Sequence, residues 1–189
     1  MLVKFLPTYT GGGLGSINYL LNERRKAAGT ARVIKGDEKL TRAVIKGVTY
    51  KQKTCFGVLS FEEKHDFLDE EQKLKIIKDF ERALLGDYML DRVNVLWVEH
   101  SDKNGRLELN FLIPKIDLVT GKSFNPYFDK YDQSRIDLIK RIINDEYNLS
   151  SPDDPAREQM ISASKKNIGH YKNLEELDKK LHELVKEGY

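Results

Sequence analysis

The chain has 189 residues, of which 40% are hydrophobic and 33% are charged, and its formal net charge is +2 at pH 7. This composition is typical of a globular protein, and the length is enough for one domain with a sizeable core. No apolar run approaches the roughly 20 residues that span a bilayer, which predicts a cytoplasmic protein without a membrane partner. The nearly balanced charge excludes an inference of nucleic-acid binding from composition alone, so only a local cluster of Lys and Arg could support one.

Hydrophobic periodicity divides residues 1–150 into alternating strands and helices. The predicted elements, in chain order, are a strand at 2–6, a helix from a cap at Ser16 to a stop at Gly29, a short strand at 32–34, a helix from Asp37 to Val48, a strand at 55–61, a helix at 69–85, a hairpin of strands at 93–100 and 107–116, and a helix at 133–147. The alternation lacks strict βαβ regularity and includes a hairpin. We therefore expect an α+β fold with an antiparallel sheet.

Burial can be predicted for individual positions as well. The helix at 69–85 is expected to bury the face that carries Leu74 and Ile77, with Lys73 on a charged face. Cys55, the single cysteine, lies in an apolar strand, and we expect a buried, inert thiol.

A change of composition at residues 150–155, SSPDDP, predicts a linker. The main domain is therefore expected to cover residues 1–150, and residues 151–189 are expected to form a linker and a helical extension. Four leucines recur at helical spacing in that extension, at positions 174, 177, 181 and 184. They could pack on the main domain or against a partner helix.

Three polar residues of the predicted hairpin are candidates for a metal site. Glu108 and Asn110 share one face of their strand, because side chains alternate along a strand. His100 ends the preceding strand and could lie beside them. Imidazole, carboxylate and amide oxygen suit a divalent cation such as Mg²⁺ or Mn²⁺. They leave coordination positions for water or phosphate, as phosphoryl transfer requires.

The length of the hairpin loop decides whether these three residues converge. A two-residue turn at Asn104-Gly105 would pair His100 with Leu109 and place it on the wrong face. A three-residue loop at 103–105, a type I turn closed by Gly105 at positive φ, would pair His100 with Glu108 instead. Convergence at a metal requires the second arrangement, which we therefore predict.

The string WVEHSDKNGRLELNFLIPK at 97–115 resembles the signature of the mobilisation relaxases of small colicin-type plasmids, in the MobA branch with a His-Glu-Asn metal site. The N-terminal GGGLGSINYLL, GVLSFEEK at 57–64 and NPYFDKYDQSRI at 125–136 are similar to further motifs of that family. The resemblance covers residues 1–150. It implies a relaxase-like (HUH-related) fold, in which helices flank an antiparallel sheet that carries the metal.

The resemblance also implies an activity and its residues. The enzyme would make a site- and strand-specific nick at a plasmid transfer origin for conjugative mobilisation, with accessory mobilisation proteins as partners. His100, Glu108 and Asn110 would hold the metal, and Tyr19 would form a 5′-phosphotyrosine. Without the resemblance, Tyr9 and Tyr19 are equal candidates for the nucleophile.

Basic and aromatic residues suggest where single-stranded or supercoiled plasmid DNA would bind. Cations can hold phosphates while bases stack on rings. Solvated helix faces explain the basic residues equally well. The candidate DNA contacts are Arg24, Arg25, Lys26, Tyr127 and Arg135.

The general base and the reaction class are less determined. Asp102 and Glu99 lie near His100 in the sequence, but Glu99 should point to the opposite side of the strand. A hydrolytic nuclease of the ββα type would need a helix directly after the second hairpin strand, where the sequence instead has Pro114. A replication initiator or DNA-binding module that keeps the fold without nicking is the other alternative.

Overall fold

The structure, a computed structural model, describes residues 1–7, 13–101 and 104–151. Within these residues it contains a five-stranded sheet of order β1-β3-β5-β4-β2, in which all neighbouring strands are antiparallel. The strands are β1 (Leu2–Leu6), β2 (Ala31–Lys35), β3 (Thr54–Lys64), β4 (Leu96–His100) and β5 (Arg106–Pro114), and the helices are α1 (Gly15–Leu20), α2 (Glu23–Ala27), α3 (Glu38–Gly47), α4 (Glu70–Leu85) and α5 (Asp129–Glu146). The predicted α+β fold with an antiparallel sheet flanked by helices is confirmed. The predicted C-terminal extension lies outside the described residues.

Helices cover both faces of the sheet. The odd-numbered residues of β5, such as Leu109 and Phe111, face α4 and α5 in one core. Leu112, on the other face of β5, packs with residues of α1 and α3 in a second core. Side-chain alternation places Glu108 and Asn110 on the same side as Leu112, beneath α1 and α3.

The predicted helix from Ser16 to Gly29 is wrong, because the structure has two short helices in its place. Ser16 does not cap α1, whose N-cap is Leu14 without a side-chain hydrogen bond. The chain then leaves the helical conformation at Asn22, which has extended backbone. The Asn22 Oδ1 accepts a hydrogen bond from the backbone N–H of Arg25 at 2.9 Å and so starts α2. Asparagine before a glutamate is a helix-start signal, and it outweighs the continuous apolar spacing.

The predicted buried face of α4 is also wrong where Lys73 and Leu74 are concerned. Asp69 and Gln72 form a capping box at the start of the helix, as the sequence permits. Lys73, however, is buried, and its Nζ lies 3.2 Å from the Glu99 carboxylate on β4, while Leu74 is 41% exposed. Periodicity cannot anticipate a lysine drawn inward by a buried carboxylate on another element.

The remaining differences lie at element ends. β4 begins at Leu96 rather than at 93, and α5 begins at Asp129, four residues before the predicted start. Cys55 is buried in β3 as predicted, and burial raises the pKa of its thiol to about 12. The thiol is therefore protonated at neutral pH, which fits an inert core residue.

Candidate active site

Strands β4 and β5 bring the three predicted metal ligands together. His100 is directly opposite Glu108, and Val98 is directly opposite Asn110. The predicted register is therefore confirmed, and His100, Glu108 and Asn110 lie on one face of the sheet. Their role as ligands stays a prediction.

The turn that joins these strands differs from the predicted one. Gly105 has a φ of 74°, as predicted, but Asn104 also has positive φ, 56°. A type I turn would place Asn104 at negative φ, so that part of the prediction is wrong. Asn104 and Gly105 both tolerate the left-handed region, which is why the Asn-Gly pair is stable there. The preceding loop residues, 102 and 103, lie outside the described residues.

The three side chains are buried, and the ring of His100 is oriented by a backbone group. Only 1% of His100, 8% of Glu108 and 3% of Asn110 is exposed. The His100 Nε2 lies 2.8 Å from the carbonyl oxygen of Leu20. A carbonyl oxygen can only accept, so Nε2 carries a proton, and in the neutral ring Nδ1 carries the lone pair. The Asn110 Nδ2 donates to the Val98 carbonyl at 3.4 Å, which identifies Oδ1 as the amide atom suited to a cation.

The helix that carries Tyr19 lies against this site. Leu20, whose carbonyl bonds to His100, is fully buried and is the last residue of α1. Tyr19 is its immediate neighbour and is 51% exposed, so its ring is accessible to a ligand in solvent. The alternative nucleophile, Tyr9, lies outside the described residues.

Arg25 folds back onto Tyr19 from α2. Its guanidinium carbon lies 4.6 Å from the centroid of the Tyr19 ring, and its Nη2 lies 3.4 Å from the phenol oxygen. Its Nη1 also donates to the Tyr19 carbonyl at 2.9 Å. The sequence predicts Arg25 only as a DNA contact, and its contact with Tyr19 is not apparent there, because a continuous helix would keep the two residues apart.

The other predicted DNA contacts fall on two sides of the sheet. Arg24 is exposed on α2, and Lys26 of the same helix pairs with Glu38 at 3.3 Å. Tyr127 instead stacks on Phe5 in the core beneath α4 and α5, with ring centroids 3.6 Å apart. On that same side, Arg135 donates to Asp132 at 2.8 Å and to the Leu84 carbonyl at 3.3 Å. The structure therefore does not bring Tyr127 and Arg135 to the face of His100.

Glu99 faces away from His100, as predicted. Its carboxylate is bonded to Lys73 and to Arg32, whose Nη2 lies 2.5 Å from it. These side chains line a polar cavity of about 370 Å³ beside α4, which His65 also borders. A carboxylate held by two cations on the opposite face is not placed to take a proton from Tyr19. Asp102, the other candidate base, lies outside the described residues.

The donor set fits a hard or borderline divalent cation. Among the described residues no group of three or more His, Cys, Asp or Glu side chains could hold a metal ion. The predicted site contains two such residues and depends on the Asn110 amide for a third donor. One nitrogen and several oxygens from rigid neighbouring strands suit Mg²⁺ or Mn²⁺ in donor type.

In the described part of the chain, no helix is long and apolar enough to cross a membrane. Between Pro114 and Asp129, all of which is described, no helix follows β5. A ββα nuclease requires a helix at that place, so the structure does not support this alternative.

The chain is similar to two known proteins along most of its length. It is 41% identical to cryptic plasmid protein C of Neisseria gonorrhoeae over 165 residues, which cover 87% of this chain and 78% of that protein. It is 40% identical to the DNA relaxase MbeA of Escherichia coli over 162 residues, which cover 86% of this chain and 31% of MbeA. No family model and no solved structure matches the chain.

Proposed function

Because the chain belongs to the family of plasmid proteins that includes cryptic plasmid protein C and the DNA relaxase MbeA, we propose that it is a DNA relaxase. It makes a site- and strand-specific nick at a plasmid transfer origin and so starts conjugative mobilisation. Tyr19 is the nucleophile, and His100, Glu108 and Asn110 hold a divalent metal. The matched residues cover 31% of MbeA. Accessory mobilisation proteins would be partners of this chain.

One observation carries this proposal. The three polar residues share one sheet face, and the carbonyl of Leu20 joins His100 to the helix that presents Tyr19. A histidine that binds a metal usually donates its other ring N–H to a carbonyl or carboxylate, which fixes the ring. The Leu20 carbonyl supplies that acceptor and ties the nucleophile's helix to a proposed ligand.

The reaction is a transesterification. The Tyr19 oxygen loses its proton and bonds to phosphorus, the bond between phosphorus and the 3′-oxygen breaks, and the 3′-oxygen takes up a proton. The 5′-phosphotyrosine conserves the bond energy, so the reverse attack can reseal the strand. A Mg²⁺ or Mn²⁺ ion held by the three ligands would polarise the phosphate and stabilise its developing charge.

The exposed position of Tyr19 suits a single-stranded DNA substrate. A phenol that is half exposed beside a basic helix can meet a backbone phosphate without unfolding of the domain. Arg24 and Lys26 would hold neighbouring phosphates. Contacts from Tyr127 and Arg135 would require the strand to pass around the sheet to its other face.

A nicking assay tests this function directly. The protein is incubated with Mg²⁺ or Mn²⁺ and a supercoiled plasmid that carries the transfer origin of the protein's own plasmid. A parallel reaction with chelator is the control. We expect metal-dependent conversion to the nicked form, with protein bound to the 5′ end and a free 3′-hydroxyl. A nicked product with a free 5′-phosphate would indicate hydrolysis, and normal DNA affinity without any nicking would favour a DNA-binding module.

A further inference from the structure

The break between α1 and α2 creates a contact that a regular helix forbids. In a continuous helix, residues six positions apart point to different sides, since only positions three and four apart are neighbours. Asn22 interrupts the helix with extended backbone, and its Nδ2 donates to the Tyr19 carbonyl at 3.1 Å. This turn reverses the chain so that Arg25 lies over Tyr19.

Three contacts hold the guanidinium of Arg25 at the phenol. It bonds to the Tyr19 carbonyl, lies over the ring and approaches the phenol oxygen at 3.4 Å. Of its neighbours in the same basic cluster, Lys26 is instead engaged by Glu38 at 3.3 Å, and Arg24 is exposed. The position of Arg25 is therefore specific to the tyrosine rather than a general property of a basic helix.

We propose that Arg25 is a second catalytic residue, whose guanidinium contacts the attacking oxygen of Tyr19 and the phosphate that this oxygen attacks. The proposal rests on the proposed function of Tyr19. The guanidinium is permanently charged and offers donors in a planar fork, which suits two oxygens at once. Each Nη carries two N–H groups, so Nη2 can stay on the phenol oxygen with one and donate the other to a non-bridging oxygen of the phosphate.

Arg25 acts on charge and takes no part in proton transfer. During nicking, negative charge moves from the phenol oxygen through the phosphate to the leaving 3′-oxygen, and the phosphodiester has the same charge before and after. A cation that contacts both oxygens stabilises the phenol oxygen as its proton leaves and then stabilises the charge that develops on the non-bridging oxygen in the transition state. In the resealing step, the same cation stabilises the phenolate as the leaving group.

The test compares Arg25→Ala and Arg25→Lys with Arg24→Ala, which removes one charge from the same helix. The probe is a single-stranded oligonucleotide that spans the nick site mapped with the wild-type protein, with Mn²⁺ present. The rate constant of nicking at saturating DNA and the Kd for DNA are measured separately. We expect Arg25→Ala to lower the rate constant by about 10²- to 10³-fold, with a rise in Kd no larger than that of Arg24→Ala.

Two rescues separate a catalytic role from a structural one. Added methylguanidine should speed nicking by Arg25→Ala and leave Arg24→Ala unaffected. Arg25→Lys keeps the charge but lacks the planar fork. Its rate constant of nicking should therefore be roughly tenfold higher than that of Arg25→Ala. If Arg25→Ala does not fold, Arg25→Lys carries the test, because nicking at the wild-type rate would overturn the proposal.

The outcomes distinguish this inference from the proposed function. If Tyr19→Phe is inactive but Arg25→Ala nicks at the rate of Arg24→Ala, or loses only DNA affinity, Arg25 is not catalytic and Tyr19 keeps its role. If Tyr19→Phe still forms the covalent adduct, the nucleophile lies elsewhere, and the role of Arg25 is overturned with it.

Discussion

The two faces of the sheet differ in how much apolar surface they bury. Among the described residues, the core beneath α4 and α5 contains 19 buried apolar residues, and the core beneath α1 and α3 contains nine. Each fully buried large apolar side chain stabilises the fold by roughly 1.5–3 kcal/mol. The face beneath α4 and α5 therefore supplies most of the stability, and the other face can hold polar groups.

The buried polar groups differ as well. Beneath α4, the carboxylates of Glu81 and Glu99 are bonded to lysines, with Lys35 2.5 Å from Glu81 and Lys73 3.2 Å from Glu99. Such pairs neutralise their own charge. The opposite face carries an imidazole, a carboxylate and an amide on neighbouring strands. We therefore predict that substitutions on the first face act mainly on stability and that, under the proposed function, substitutions on the second face act on metal binding and nicking.

The largest effect is expected from Tyr19→Phe, which removes one oxygen from a half-exposed ring. Nicking should fall by at least about 10⁴-fold, because no covalent adduct can form. The thermal unfolding midpoint should stay within about one degree of wild type. Tyr131→Phe, on an exposed tyrosine of α5, is the matched control and should nick normally. Full activity of Tyr19→Phe with an inactive Tyr9→Phe would transfer the role to Tyr9.

The second effect concerns the three proposed ligands. His100→Ala, Glu108→Ala and Asn110→Ala should each lower Mn²⁺ affinity in calorimetry and slow nicking by roughly 100-fold or more. Glu99 precedes His100 on β4 and points to the opposite face of the sheet. Glu99→Gln should therefore lower the stability of the protein but leave its Mn²⁺ affinity unchanged. Unchanged Mn²⁺ binding in all three alanine variants would rule out this cluster as the metal site.

The third effect is expected on the face beneath α4 and α5, where the larger core lies. Gly57 on β3 is directly opposite Phe111 on β5, and an added Cβ would clash with the Phe111 ring and lie 2.7 Å from the Lys4 carbonyl. Gly57→Ala should therefore destabilise the protein by about 1–3 kcal/mol in urea unfolding. Phe111→Leu in that background should restore part of the loss. Nicking per folded molecule should change little, and a selective loss of nicking would show that the two faces are coupled.

Much of the fold follows from local patterns in the sequence. The capping residues Asp37 and Asp69 locate the starts of α3 and α4, and the apolar run at 55–61 locates β3. The register of the hairpin follows from parity together with the requirement that His100 meet Glu108. These predictions succeed because each depends on a few neighbouring residues or on the alternation of a strand.

Other features of the structure are not contained in those patterns, and two of them depend on contacts between distant residues. Lys73 is buried because Glu99 lies on another strand, and no periodicity within α4 contains that information. The contact of Arg25 with Tyr19 depends on the break at Asn22, where a cap outweighs an apolar pattern that favours one helix. Tyr127 occurs in a motif similar to that of the relaxases, yet its stacking on Phe5 depends on the path of β1.

The smallest effect concerns the turn that sets the register of the site. Gly105 has positive φ, and an added Cβ would meet no atom of the described residues, so Gly105→Ala incurs the cost of a left-handed backbone. That cost is about 1–2 kcal/mol, which urea unfolding can resolve. Gly47→Ala is the matched control, because Gly47 also has open space but ends α3 without positive φ, and the change there should be neutral or slightly stabilising. Since His100 and Glu108 are paired by the whole hairpin, Gly105→Ala should keep its Mn²⁺ affinity. If it instead loses that affinity with little loss of stability, the turn itself holds the ligands in register.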